Sequence, residues 1–231
     1  MHEADTCPRA EGAHPTAVDP AVRLLERLAH DLRGPLSPIQ TATYLLRQGG
    51  LEASRREELL DILDRQAQRL SSMVQEIADW TSAREGRLVA RSEAIEVPLL
   101  LDLAAATLDS VADWQVADDV RKRIVRGDAQ RLVQMLGSLG GFLHMRAGLD
   151  AIRALAHGDT LRLELDSREP WEGAEGRLLF EGPHPSPPDH GLGMGLLLAR
   201  EIARAHGGDV DPGESAAGGA RLRVKLPLVP G

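Results

Sequence analysis

A histidine early in the chain is the residue with the clearest potential for chemistry. His30 is followed directly by Asp31, and the run continues Leu-Arg-Gly-Pro-Leu over 32–36. A neutral, exposed imidazole has one nitrogen free to attack phosphorus. The adjacent carboxylate can accept a proton or hold the ring in one tautomer. A surface histidine without a function is the alternative that these residues alone leave open.

The helical repeat around His30 predicts its exposure. Apolar residues recur every seven positions, at Leu25, Leu32, Ile39 and Leu46. If these side chains share the buried face of a helix, His30 lies five residues after Leu25, on the outer face. Pro35 falls in mid-helix, where proline removes a hydrogen bond and bends the chain. We therefore predict an exposed His30 beside a bend.

The N-terminal part predicts two amphipathic helices of about 28 residues joined as a hairpin. Pro20 suits a first helical position, and Gly49-Gly50 ends the first helix. Ser54 and Glu57 resemble a capping box for the second. A single hairpin leaves its apolar stripes half covered, so we predict a homodimer built as a four-helix bundle. Packing of the hairpin onto the C-terminal part of the same chain is the alternative.

The rest of the chain predicts a mixed α/β arrangement. Period-two alternation and short apolar runs predict strands at 88–90, 160–166, 177–181, 209–210 and 220–226. Longer apolar segments predict helices at 98–112, 129–145 and 191–206. We expect these helices to stack on one face of the sheet.

Composition excludes several classes of protein. The chain has 231 residues with 27 Lys+Arg and 35 Asp+Glu, a net charge of −8 that argues against a broad nucleic-acid or anionic-membrane surface. Aromatic residues make up only 3%, which disfavours base stacking. One cysteine excludes a disulfide framework, and no apolar stretch is long enough to span a membrane. We expect a cytoplasmic protein with no nucleic-acid or membrane partner.

The segment 29–46, AHDLRGPLSPIQTATYLL, resembles the H-box of two-component sensor histidine kinases, His-Glu/Asp-Leu-Arg-x-Pro-Leu. The resemblance implies that His30 is the phosphoacceptor, with Asp31 beside it as the acid. It also implies a response-regulator receiver domain as partner, docking around Arg33, Gly34 and Pro35. In that family the fourth residue after the histidine is usually Thr or Asn and aids dephosphorylation of the receiver. Glycine at this position argues against phosphatase activity.

The resemblance covers about residues 21–227 and implies an α + α/β fold. The expected architecture is an antiparallel helical hairpin forming a dimeric four-helix bundle, followed by an ATPase-like α/β sandwich. The implied division is a flexible tail at 1–19, a dimerisation and phosphotransfer hairpin at 20–85, and a degenerate ATPase-like domain at 86–231.

The resemblance also implies an impaired nucleotide site. Residues 127–136 resemble the entry to the family's N-box helix, but Phe142 stands where that helix has the asparagine that holds Mg²⁺. Phenylalanine offers no oxygen ligand. In place of the family's Asp-x-Gly-x-Gly box, whose aspartate contacts adenine, Glu181 is the available carboxylate at 178–183. The proline-rich segment 183–190 is too short for the family's ATP lid.

A glycine-rich loop is retained, and it resembles the family's last nucleotide box. Gly191, Gly193 and Gly195 precede a predicted helix, where backbone N–H groups can bind a phosphate. Close helix packing also requires glycine and is the alternative. We expect no metal site from the spacing of the possible ligands nearby, His184, Asp189 and His190.

Three functions follow from these observations. The first is a phosphotransfer protein in which His30 accepts a phosphoryl group from, or passes it to, a receiver aspartate, with no cofactor required. The second is a divergent histidine kinase that autophosphorylates from ATP with Mg²⁺. The third is a non-catalytic pseudokinase that binds and regulates a receiver or a kinase.

Overall fold

The computed structural model describes residues 20–108, 112–184, 187 and 191–229. The predicted tail over 1–19 lies outside them. Two long helices, α1 (Pro20–Gln48) and α2 (Ala53–Arg84), come first and pack side by side as the predicted hairpin. Residues 49–52 connect them, beginning with Gly49 and Gly50, which both have positive φ.

The C-terminal part is a mixed sheet covered by helices. Its elements are, in chain order, β1 (Glu93–Glu96), α3 (Val97–Thr107), β2 (Asp113–Val116), a 3-10 turn (Asp118–Val120), β3 (Ile124–Gly127), α4 (Ala129–Ala147), β4 (Leu149–His157), β5 (Thr160–Ser167), α5 (Glu175–Leu178), α6 (Gly195–Ala205), β6 (Asp209–Glu214) and β7 (Ala220–Val229). The strand order is β1-β3-β7-β5-β4-β2, with β6 also paired to β7. Only β2 and β4 pair in parallel among these described strands. The expected fold class is confirmed.

An alternating strand pair builds the core. Leu161, Leu163 and Leu165 of β5 are fully buried opposite apolar residues of β7. Burying each leucine stabilises the fold by about 2 kcal/mol. Apolar side chains of α4 and α6 cover this layer, as their buried residues belong to the same cluster. The sheet therefore fixes the two helices that frame the glycine-rich loop.

The intervening residues of β5 form ion pairs with β7. Arg221 Nε donates to Asp166 Oδ1 at 2.6 Å, and its Nη1 lies 2.8 Å from Glu164 Oε2. The hydrogen bond to Asp166 raises the pKa of Arg221. These ion pairs form in the same strand register that buries the leucines. The ion pairs and the apolar contacts therefore favour the same alignment of β5 with β7.

Several predicted elements were wrong. Residues 88–90 form no strand, and the strand predicted at 177–181 is replaced by the short helix α5 and a turn. Short apolar runs do not distinguish strand from helix by periodicity. Helix α2 begins at Ala53, and no side chain of the proposed capping box caps it. Strands β1, β2, β3 and β4 were not predicted, and α6 begins at Gly195 instead of Gly191. Helix α1 continues through Pro35 as one element.

Within the part of the chain that the structure describes, no helix combines the length and apolar character that a membrane span needs.

The turn between α6 and β6 depends on a glycine. A Cβ atom at Gly208 would overlap the backbone carbonyl oxygen of Lys225, which has little freedom to move in β7. We expect Gly208→Ala to lower the free energy of unfolding by about 3 kcal/mol, measured by chemical denaturation. Gly182→Ala is the matched control, because nothing lies within 4 Å of the added atom. Equal stability of the two variants would contradict this packing.

An ion pair joins α6 to β6. Arg200 Nε donates to Asp209 Oδ1 at 2.9 Å, and this hydrogen bond lowers the pKa of Asp209. The folded state therefore favours the ionised carboxylate. The contribution of the ion pair to the free energy of unfolding is fully present above the ordinary pKa of aspartate. It is lost as the pH falls through the lowered pKa of the folded state.

We expect the stability difference between wild type and Asp209→Asn to shrink as the pH falls from about 6 to 3. Chemical denaturation at a series of pH values measures this difference. The matched control is Asp102→Asn, which changes an exposed carboxylate of α3. A difference that stays constant with pH would show that Asp209 does not ionise as the structure indicates.

Candidate functional site

His30 is exposed to solvent on α1, as the helical repeat predicted. Its side chain is 85% exposed. The ring nitrogen Nδ1 lies 3.1 Å from Oδ1 of Asp31. Because a carboxylate accepts a hydrogen bond, this contact favours the tautomer with the proton on Nδ1. Nε2 then carries the lone pair that a nucleophile needs.

The residues after His30 form a surface around it. Arg33 and Gly34 are exposed, and a Cβ atom at Gly34 would meet no atom within 4 Å. Pro35 is buried and has no N–H to donate to the carbonyl of Asp31. The structure therefore places the predicted H-box residues on one stretch of helix, with Arg33 and Gly34 open to solvent and Pro35 buried.

The helix that carries His30 also contacts the C-terminal part. Leu28 and Leu32, two residues on either side of the histidine, pack against a buried cluster. The cluster consists of Met73 from α2 with Leu192 and Met194 from the glycine-rich loop. The hairpin thus packs partly on its own chain, which was the alternative to a purely dimeric arrangement.

The glycine-rich loop is held closely by the segment before it. Gly193 has a φ of 77°, and an added Cβ would overlap the backbone of His184. The N–H of His184 donates to the carbonyl of Gly193 at 2.8 Å. Gly195 begins α6, and an added Cβ would make ordinary contact with Ser138. Gly191 lies half-buried at the start of the loop. The positive φ of Gly193 and its close contact with the backbone of His184 are enough to explain why this residue is a glycine.

Two carboxylates of α2 that the sequence did not indicate complete this region. Glu76 accepts hydrogen bonds from the N–H groups of Leu192 and Met194, each at 3.1 Å. Asp79 is buried and accepts from Gln134 of α4. Glu76 and the loop are separated by 116 residues along the chain, so no local pattern could have revealed the contact.

A cavity of about 340 Å³ lies between α4 and the glycine-rich loop. Its described lining consists of Gly137, Ser138, Gly141, Phe142, Met145, His184, Pro187, Gly193, Gly195 and Leu196. The rings of Phe142 and His184 meet edge to face, with centroids 5.4 Å apart. The cavity therefore lies where the resemblance places a nucleotide, but its walls are mostly apolar.

These residues do not fit a magnesium nucleotide bound in the way that the resemblance implies. Mg²⁺ requires oxygen ligands in octahedral geometry. The described lining offers one side-chain hydroxyl, Ser138, and no carboxylate or carboxamide. Among the described residues, no group of three or more His, Cys, Asp and Glu could hold a metal ion. Asp189 and His190, considered as ligands with His184, lie outside the described residues.

Glu181 is not placed where an adenine-binding carboxylate would be needed. It is exposed on the turn after α5 and does not belong to the described cavity lining. Glu181 was predicted to follow a strand, but the strand that precedes it in the chain is β5, which ends at Asp166 and Ser167. Asp166 is buried in its ion pairs with Arg221 and Arg153. The predicted role of Glu181 as a substitute therefore lacks structural support.

Comparison with known proteins agrees with the fold and with the H-box. Residues 22–86 match the His Kinase A (phospho-acceptor) domain. The chain is 27% identical over 90% of its length to the sensor protein SphS of Synechococcus elongatus, and 25% identical over 93% to the sensory histidine kinase/phosphatase NtrB of Rhodobacter capsulatus. It spans 55% and 64% of the lengths of these relatives.

Two solved structures share the fold. Histidine kinase ThkA in complex with the response regulator TrrA superposes with a TM-score of 0.67 at 16% identity, covering 89% of this chain and 61% of that chain. Full-length ShkA in complex with AMPPNP gives 0.62 at 20% identity, covering 91% and 46%. The chain is therefore similar in fold to these histidine kinases, in sequence to sensor proteins over most of its length, and over residues 22–86 to the phospho-acceptor domain.

Proposed function

We propose that this chain is the phosphoryl-carrying core of a two-component signalling protein, in which His30 exchanges a phosphoryl group with the aspartate of a response-regulator receiver. The observation that carries the proposal is the exposed imidazole of His30 with Asp31 on Nδ1. Phosphoryl transfer depends mainly on positioning and on stabilisation of charge. An open histidine on a rigid helix, with one nitrogen oriented and the other free, meets the positioning requirement.

The transfer step can be written with the atoms of this chain. The lone pair of His30 Nε2 attacks the phosphorus of an aspartyl phosphate, a P–N bond forms, and the P–O bond to the aspartate breaks. The proton on Nδ1 remains on the ring, where the Asp31 carboxylate stabilises the positive charge that develops. The reverse step returns the group to a receiver. Asp31 therefore acts as an orienting and charge-stabilising group.

The surface beside His30 supports docking of a receiver domain. Arg33 and Gly34 are exposed on the same helix, and the absence of a side chain at Gly34 leaves room for a partner close to the histidine. The related fold of ThkA was solved in complex with a response regulator. Because Gly34 has no polar group to position a water molecule, we propose that the chain does not promote dephosphorylation of its receiver.

The source of the phosphoryl group has two candidates. ATP is favoured by the comparisons, because NtrB is named a histidine kinase and the ShkA structure contains AMPPNP. A phosphorylated receiver is favoured by the cavity, whose lining lacks an oxygen ligand at Phe142. If ATP is the source, its metal must be held by groups other than residue 142.

The uncovered part of the hairpin supports a dimer. Large apolar side chains remain exposed along both helices, at Leu36, Tyr44, Leu60 and Val74. A second hairpin packed as in a four-helix bundle would cover them, and the matched phospho-acceptor domain spans the same residues. We therefore include a second copy of the chain among its partners.

The role of His30 is tested with a receiver domain radiolabelled on its aspartate. We expect label to appear on wild-type protein and to be absent from His30→Ala, because the nucleophile is removed. Asp31→Asn should slow labelling about a hundredfold without abolishing it. His157→Ala, which changes an exposed histidine of β4, is the matched control. If His30→Ala is labelled as strongly as the wild-type protein, the proposal is refuted. If neither protein is labelled, the result supports the pseudokinase alternative.

The phosphoryl source is tested by offering radiolabelled ATP with Mg²⁺ to the same proteins. From the lining of the cavity we expect ATP to label His30 at least about a hundredfold more slowly than the phosphorylated receiver does, because loss of metal stabilisation costs several kcal/mol. Label from ATP at a comparable rate, lost in His30→Ala, would contradict this expectation and establish the kinase route.

A further inference from the structure

The cavity between α4 and the glycine-rich loop has walls that consist largely of backbone. Gly137 and Gly141 lie four residues apart on α4 and therefore share one face of that helix, and Gly193 and Gly195 line the cavity from the loop and the start of α6. An added Cβ atom at Gly141 would meet no atom within 4 Å, so there is open space beside this residue. Walls with so few side chains suit a flat molecule, because glycine allows a close approach to the backbone.

The larger side chains of the lining are apolar or aromatic. The rings of Phe142 and His184 meet at 71°, the edge-to-face arrangement that aromatic pairs prefer. Leu196 and Pro187 add aliphatic surface. Met145 also lines the cavity but is 63% exposed, and its flexible thioether packs well against aromatic rings. An aromatic ligand would therefore meet favourable contacts in this cavity.

The charges around the cavity disfavour an anion. Its described lining contains no Lys, Arg, Asp or Glu. A phosphate group placed there would lose water without gaining a cationic side chain in return, which is costly. The N–H groups of Leu192 and Met194, in the adjoining loop, already donate to the carboxylate of Glu76. The described residues thus favour an uncharged ligand.

A single hydroxyl group provides a polar contact. Ser138 lines the cavity, and within the part of the chain that the structure describes its hydroxyl forms no hydrogen bond. A hydroxyl group can donate one hydrogen bond and accept two. Small-molecule pockets combine apolar walls with a few polar groups that orient the ligand. Ser138 is therefore able to orient a ligand that carries one polar group.

The volume of the cavity sets the size of the ligand. An apolar cavity of about 150 Å³ holds benzene. This cavity has a volume of about 340 Å³. It therefore has room for two fused aromatic rings.

We propose that this cavity binds an uncharged molecule of two fused aromatic rings with one hydrogen-bonding group, of the class of naphthols and indoles, instead of a magnesium nucleotide. The rings lie against the backbone of Gly137 and Gly141 and contact Phe142, and the polar group forms a hydrogen bond with the Ser138 hydroxyl. Binding is non-covalent and requires no metal. This inference goes beyond the proposed function and does not depend on phosphoryl transfer at His30.

Titration of the full chain with two matched ligands tests the preference for an uncharged molecule. The ligands are 2-naphthol and 2-naphthyl phosphate, which share the same rings, and binding is measured by calorimetry. We expect 2-naphthol to bind at least about tenfold more tightly, because the phosphate group loses its hydration without a cationic partner. Equal or tighter binding of 2-naphthyl phosphate would overturn the proposal, as would the absence of binding by 2-naphthol.

Two leucine substitutions test the location of the bound ligand. Gly141→Leu places a side chain into the cavity, and we expect it to weaken binding of 2-naphthol at least about tenfold by occupying the space of the rings. Gly182→Leu is the matched control, because an added Cβ atom there also meets nothing within 4 Å and the residue does not belong to the described lining. It should bind 2-naphthol as wild type does. Equal binding by Gly141→Leu and wild type would show that the rings lie elsewhere and would overturn the proposal.

The hydrogen bond is tested with Ser138→Ala. We expect this variant to bind 2-naphthol about fivefold more weakly than wild type but to bind naphthalene, which lacks the hydroxyl, as wild type does. Far-UV circular dichroism reports whether each variant is folded, and if Gly141→Leu is not, Ser138→Ala decides. Unchanged affinity of Ser138→Ala for 2-naphthol would overturn the placement of the ligand. All of these titrations are made without a receiver, so a failure of phosphoryl transfer at His30 would leave their results unaffected.

Discussion

Backbone N–H groups at the start of a helix need a hydrogen-bond acceptor. In this protein, α2 of the hairpin supplies an acceptor at the start of α6, the helix that follows the glycine-rich loop. The carboxylate of Glu76 accepts from the N–H of Met194, the N-cap residue of α6, and from the N–H of Leu192 in the loop before it. Asp79 holds the side chains of Arg131 and Gln134 near the start of α4. Around these contacts, the apolar cluster of Met73, Leu192 and Met194 excludes water. The relative placement of hairpin and sheet depends on this polar contact enclosed by apolar side chains.

The same arrangement changes what the glycine-rich loop can do. In a nucleotide site, such a loop presents N–H groups to phosphate oxygens. Here part of that donor set is already used by a side chain of the same protein. The adjoining cavity is lined by Phe142 where an oxygen ligand would be expected, and Ser138 is the only hydroxyl in its described lining. The loop and the described cavity lining therefore differ in chemistry from such a site.

The phosphoacceptor role proposed for His30 depends on requirements that are local. A nucleophilic imidazole needs exposure, a fixed tautomer and room for a partner. His30 obtains the first from its position on the outer face of α1, the second from Asp31, and the third from the open surface at Gly34. None of these depends on the cavity. The geometry around His30 is therefore independent of the residues that line the cavity.

The sequence by itself determined the features that follow from local periodicity. The seven-residue repeat placed His30 on the outer face, and alternation identified β5 and most of β7, since these patterns reflect which side of one element is buried. It did not identify β4, whose residues 149–157 lack clean alternation, nor the helical state of residues 175–178. Only the tertiary structure decided which groups meet across long separations. Glu76 reaches the loop at 192–194, Asp79 reaches α4, and Glu181 lies exposed on a turn away from the cavity lining. The physical reason is that a buried polar group is stabilised by whichever partner the packed elements bring within hydrogen-bond distance, and no local pattern encodes that partner.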